Sequence, residues 1–154
     1  MDADCVNKFI EATLHILETT AGTTAKAKKP YLKQDQTAPG AISGLIDVSG
    51  DFKGSIAVSF SESLILHIVS AMFGEEMKHL NDEIKDAVGE IANMISGQAT
   101  IKLAESGKKL KAKMSSVQMG PSHPITHLTG RPVVALPYGT THGNFTIEAC
   151  SEKW

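Results

Sequence analysis

Apolar residues at Val6, Phe9, Ile10, Leu14 and Leu17 recur at intervals of three and four, which predicts an amphipathic helix over residues 4–19 packed on a sheet. Residues 21–40 mix Gly, Thr and Lys with two prolines, and within them residues 24–33 can form an edge strand guarded by Lys26, Lys28 and Lys29. From Ala41 the period changes to two. Ile42, Gly44, Ile46 and Val48 alternate with Ser43, Leu45, Asp47 and Ser49, and Gly50-Asp51 supplies a turn. Phe52, Ile56, Val58 and Phe60 then alternate with Lys53, Ser55, Ala57 and Ser59, so the two runs predict a hairpin.

Ser61 is a natural N-cap for a short helix over residues 63–73 that Gly74 ends. A second, longer helix is predicted from Asn81 or Asp82, with Asp82, Glu83 and Asp86 in its opening turns, to about Glu105, with Gly107 stopping it. Lys109, Lys111 and Lys113 alternate with Leu110, Ala112 and Met114 as a half-buried strand with a basic outer face. Residues 115–130 carry Gly120, Pro121, Pro124 and Gly130 and read as a long loop with room for a short extended piece. Residues 131–138 and 144–150 predict a closing hairpin. The βαβα alternation of a parallel doubly wound sheet is missing, so the expected fold is α/β in an α+β-like arrangement: a mainly antiparallel sheet with helices on one face, in one domain spanning residues 1–154.

Charge changes this picture little. A net charge of −2 with interspersed signs suggests neither disorder nor a nucleic-acid partner. The most apolar stretch, residues 64–73, falls short of the roughly 20 residues a bilayer span needs, so no membrane partner is expected. Asp2, Asp4 and Glu11 break the pattern of a signal peptide, which points to the cytoplasm. Cys5 and Cys150 lie far apart without CxxC spacing, as buried thiols would.

The long helix holds the candidate chemistry. Ile84, Val88, Ile91 and Ile95 fall within about 60° of one another at 100° per residue and should face the core. On the opposite face Asp86, Glu90, Asn93 and Gly97 recur at spacings of four, three and four, with Gly89 beside them. Two glycines inside a helix cost roughly 1 kcal/mol each against alanine, a cost that close approach by a partner's backbone at Gly89 and Gly97 would explain. An acid and an amide three apart also occur on many merely solvated helix faces.

The segment Asp86-Ala-Val-Gly-Glu90-Ile-Ala-Asn93-Met-Ile-Ser-Gly97 resembles the signature helix of the CheC/CheX/FliY chemotaxis phosphatases, in which Glu and Asn stand three apart with Asp or Ser four before the Glu. The resemblance extends to the hairpin before Ser61, to Phe73-Gly74-Glu75, and to residues 132–137 and 143–148, and the single motif in a short chain resembles the CheX type. Where the family commonly has a proline 23 positions after the Asn, this chain has Ser116. The resemblance implies hydrolysis of a phosphoaspartate on a CheY-like receiver domain, with Asn93 orienting the attacking water and Glu90 pairing with the receiver's lysine. It also implies that the magnesium sits on the receiver, with no cofactor on this chain, and that the chain is a homodimer. Asp86 is expected at the rim as a docking contact or source of negative field.

Other constellations are weaker. His123, His127 and His142 could be imagined as a metal trio but lack HExxH context and are expected to be exposed loop residues. No nucleophile elbow or phosphate-binding glycine loop is present. The alternatives to an enzyme are a binding module of the same fold that captures a phosphorylated receiver, or joins a chemotaxis or motor assembly, without hydrolysis, or a structural oligomer whose polar helix face is only solvated.

Overall fold

The computed structural model describes residues 3–128, 130 and 132–152; Arg131, where the closing hairpin was expected to start, lies outside them. The chain begins with α1 (Ala3–Ala21), followed by two short strands, β1 (Lys26–Ala27) and β2 (Tyr31–Leu32). The hairpin β3 (Ile42–Gly50) and β4 (Gly54–Phe60) leads into α2 (Glu62–Phe73) and α3 (Asp82–Glu105). Then come β5 (Leu110–Met119), β6 (Val134–Thr140) and β7 (Gly143–Ser151). The strands form one antiparallel sheet in the order β1-β6-β7-β4-β3-β5, with β2 also paired to β6.

The caps fall where the sequence puts them. Ser61 Oγ accepts from Leu64 N, Gly74 closes α2 in the left-handed region, and Asn81 Oδ1 accepts from Ile84 N at 3.0 Å to start α3. Gly107, with φ +81, turns the chain after α3. Ile42, Ile46, Ile56, Val58, Phe60, Phe145 and Ile147 bury one sheet face against Phe9, Ile16, Leu64, Ile84, Val88 and Ile91 of the helices. A Cβ added at Gly44 would meet Ala92 Cβ at 3.3 Å and Val88 Cγ1 at 3.4 Å. That bare position therefore lets α3 settle directly onto β3.

Three expectations change. The edge segment is two separate two-residue strands, because Pro30 has no N–H to donate between Lys26–Ala27 and Tyr31–Leu32. The strand expected from Phe52 begins at Gly54. The strand expected to stop near Met114 runs on to Met119, where a long loop had been predicted. The cause is a β-bulge: Leu45 pairs with Ser116 and Ile46 with Met114, leaving Ser115 as the extra residue. The bulge shifts the alternation by one, so Leu110, Ala112 and Met114 before it and Val117 and Met119 after it all pack against the same core. A strict period-two reading loses the strand at that phase jump.

The second sheet face is covered by chain rather than by helices. Ala38 and Ile125 pack on Ala57, and two polar relays tie the covering segment down. Ser43 Oγ lies 2.7 Å from His123 Nε2 while His123 Nδ1 reaches Gly120 O at 2.9 Å. His127 spans Ser55 Oγ at 2.7 Å and Glu148 Oε1 at 3.0 Å, and Glu148 Oε2 accepts from Lys33 Nζ at 3.0 Å. His123 and His127 are thus buried tethers, which corrects the expectation of exposed loop histidines; only His142 of the three is exposed. Charged and polar groups hidden this way are tolerated because each has its partner.

Candidate functional site

Helix α3 carries its apolar stripe inward and its polar strip outward, as its period requires. Ile84, Val88, Ile91 and Ile95 are at most 1% exposed, whereas Asp86, Glu90, Asn93 and Gly97 are all exposed. Among the described residues, none gives the Glu90 carboxylate or the Asn93 amide a hydrogen bond or ion pair. Both groups stand solvated on a helix whose back is fixed to the sheet, so their directions are set by a rigid element and their bonding capacity is free for another molecule.

The strip is a ridge between two depressions. On the β5 side a groove of about 640 Å³ is lined by Lys85, Gly89, Asn93, Ser115, Ser116 and Val117, among others. On the α2 side a groove of about 280 Å³ is lined by Phe73, Glu83, Asp86, Ala87 and Glu90. Asp86 and Glu90 border both.

The glycines separate. A Cβ at Gly97 would meet nothing within 4 Å, so its bare backbone faces open solvent on the ridge. Gly89 is buried, and the atoms nearest to a Cβ there are Met114 Cε at 3.4 Å and Val117 Cγ2 at 3.8 Å. Its close neighbour is the chain's own β5 rather than open space. Ser116, at the family's proline position, pairs with Leu45 at the bulge of an outer strand, a place where a proline serves strand geometry.

The structure does not bring His123, His127 and His142 together; the first two are engaged on the far sheet face and His142 stacks on His67 with ring centroids 3.5 Å apart. Among the described residues no group of three or more His, Cys, Asp or Glu is arranged to hold a metal. Ser55, His127 and Glu148 have the side-chain order of a hydrolytic triad, yet Ser55 is 0% exposed and its Oγ accepts from Leu128 N at 3.1 Å. That set is a strap. Sequence reasoning missed this relay and, though it placed Phe73 at the end of a helix, missed that its ring is 46% exposed beside the acidic turns of α3. An aromatic directly before a helix-ending glycine was the available signal for Phe73, whereas nothing local announces contacts that link residues 33, 55, 127 and 148.

This layered fold with an acid–amide ridge belongs to the CheC-like class. A CheC-like superfamily protein from Shewanella sp. PV-4 has a solved structure that is 36% identical and matches with a TM-score of 0.89 over 99% of each chain. Residues 42–139 match the family described as chemotaxis phosphatase CheX, and the chain belongs to that family. It is 31% identical over 121 residues, 78% of either chain, to the CheY-P phosphatase CheX of Thermotoga maritima. The crystal structure of a chemotaxis protein CheX from Desulfovibrio desulfuricans is 40% identical, with a TM-score of 0.85 over 96% of this chain and 99% of that one. No helix among the described residues is long and apolar enough to cross a membrane.

Proposed function

We propose that this chain is a phosphoaspartyl-protein phosphatase that dephosphorylates a CheY-like response regulator, with Asn93 orienting the attacking water and Glu90 pairing with the receiver's lysine. The observation that carries the reading is the pair itself: an exposed carboxylate and an exposed amide, side by side and without side-chain partners among the described residues, on the crest of a rigid ridge. The Thermotoga maritima relative, a CheY-P phosphatase by name, supports the substrate class.

An acyl phosphate is already activated, so its hydrolysis needs chiefly a water placed in line with the leaving oxygen. The water oxygen bonds to phosphorus as the phosphorus–carboxylate bond breaks, releasing inorganic phosphate and an aspartate on the receiver. A neutral amide can both accept from and donate to that water, which fixes its direction without taking its place as nucleophile. The Glu90 carboxylate attracts the receiver's lysine and seats the ridge in the receiver's phosphorylation site. Magnesium is expected on the receiver, not on this chain. Asp86 adds negative field at the rim.

The test is a time course of phosphate loss from CheY-type receivers phosphorylated with acetyl phosphate, with and without this protein. Acceleration of at least one receiver is expected. Capture of a phosphorylated receiver without acceleration would replace the enzyme with a binding module.

A further inference from the structure

The ridge has two unlike flanks. The β5 flank is polar, with Lys85, Asn93, Ser115 and Ser116 along it. The α2 flank combines an exposed aromatic ring with carboxylates alone: Phe73 and Ala87 among Glu83, Asp86 and Glu90. Further along α3 the apolar character continues, because Met94 (37% exposed) and Ile101 (64% exposed) follow Ala87 at successive intervals of seven, which returns them to nearly the same side of the helix. Single exposed apolar residues need no explanation, but an exposed ring in a groove that shares Asp86 and Glu90 with the polar ridge is placed for a contact.

Phe73 is also held in place. Gly74 N donates to Ser70 O at 3.0 Å and Met77 N donates to Ser70 Oγ at 2.8 Å, so the backbone that carries Phe73 is fixed at the end of α2. A side chain displayed on an ordered helix end loses little entropy on binding.

We infer that the Phe73 groove is the second half of the receiver-docking surface, which rests on the phosphatase reading above. Its occupant is a segment of the receiver that presents an apolar side chain against Phe73 and Ala87 with a lysine or arginine beside it for Glu83 and Asp86. The three carboxylates lining this groove favour the second feature by charge complementarity, and the exposed ring favours the first. Because Asp86 and Glu90 border both grooves, a receiver seated on Glu90 meets this flank without any rearrangement of the ridge. Phe73 is then an affinity residue and takes no part in the chemistry.

The experiment is a steady-state titration with the phosphorylated receiver that the wild type hydrolyses, comparing Phe73→Ala, Phe73→Leu, Glu83→Lys and Asn93→Ala. Phe73→Ala is expected to raise KM about tenfold at unchanged kcat, as truncation of an aromatic anchor does, and Phe73→Leu to recover most of the loss. Glu83→Lys, an exposed change that leaves the core alone, is expected to raise KM comparably and more at low salt than at high salt. A KM within twofold of wild type for both Phe73→Ala and Glu83→Lys, or a loss confined to kcat, would overturn the inference while leaving the phosphatase reading intact. That reading fails separately, if Asn93→Ala turns over like the wild type.

Discussion

At the scale of residues, the proposed function gives recognition to Glu90 and chemistry to Asn93. Glu90→Ala removes one member of a charge pair formed only with the receiver, so KM should rise by about tenfold or more with a weaker salt dependence. Titration at two ionic strengths checks this, and an unchanged salt dependence would remove Glu90 from recognition. A different residue, Glu148, serves the fold. It is 0% exposed and its carboxylate takes both Lys33 and His127. Glu148→Gln would leave the Lys33 cation buried without its countercharge, costing about 3 kcal/mol and lowering Tm on the order of 10 °C. Thermal unfolding reads the loss, and phosphate release per folded molecule should hold, since α3 lies on the other sheet face. The exposed pair was legible in the sequence because helical period alone puts positions 90 and 93 outward. Glu148 was not, because its partners come from positions 33 and 127, and no local pattern encodes a contact across such separations.

At the scale of elements, α3 both roofs the core and carries the ridge proposed to meet the receiver, and its glycines differ accordingly. Gly97→Ala should stabilise the helix by about 1 kcal/mol, since nothing crowds the added methyl, and Tm should rise. The same methyl should weaken receiver binding, because it stands where a partner's backbone is expected to approach. If Tm rises and affinity is unchanged, Gly97 has no docking role. The limits of α2 and α3 were readable from Ser61, Gly74, Asn81 and Gly107, whose side chains or backbone freedom act locally. The far half of β5 was unreadable because the bulge at Ser115 breaks the alternation between Met114 and Val117, and the register that restores it is set by β3, not by the strand itself.

At the scale of the molecule, the sheet separates a tethered face from the face that carries α3, and its outer strand β2 leaves Tyr31 45% and Leu32 58% exposed. A second copy covering that edge is the homodimer expected from the sequence; sedimentation at micromolar concentration should then show twice 16.4 kDa, and a species of 16.4 kDa alone would count against it. The central claim is that a solvated amide on this ridge orients the water, and it is tested most directly by single-turnover phosphate release from a phosphorylated receiver at saturating Asn93→Ala protein. The Asn93 amide is exposed and bonded to no described residue, so the variant should fold as well as the wild type or slightly better. The rate should fall roughly 10²-fold, the scale for removing one preorganised polar group from a transition state, while receiver binding survives. A rate near that of the wild type would contradict the account.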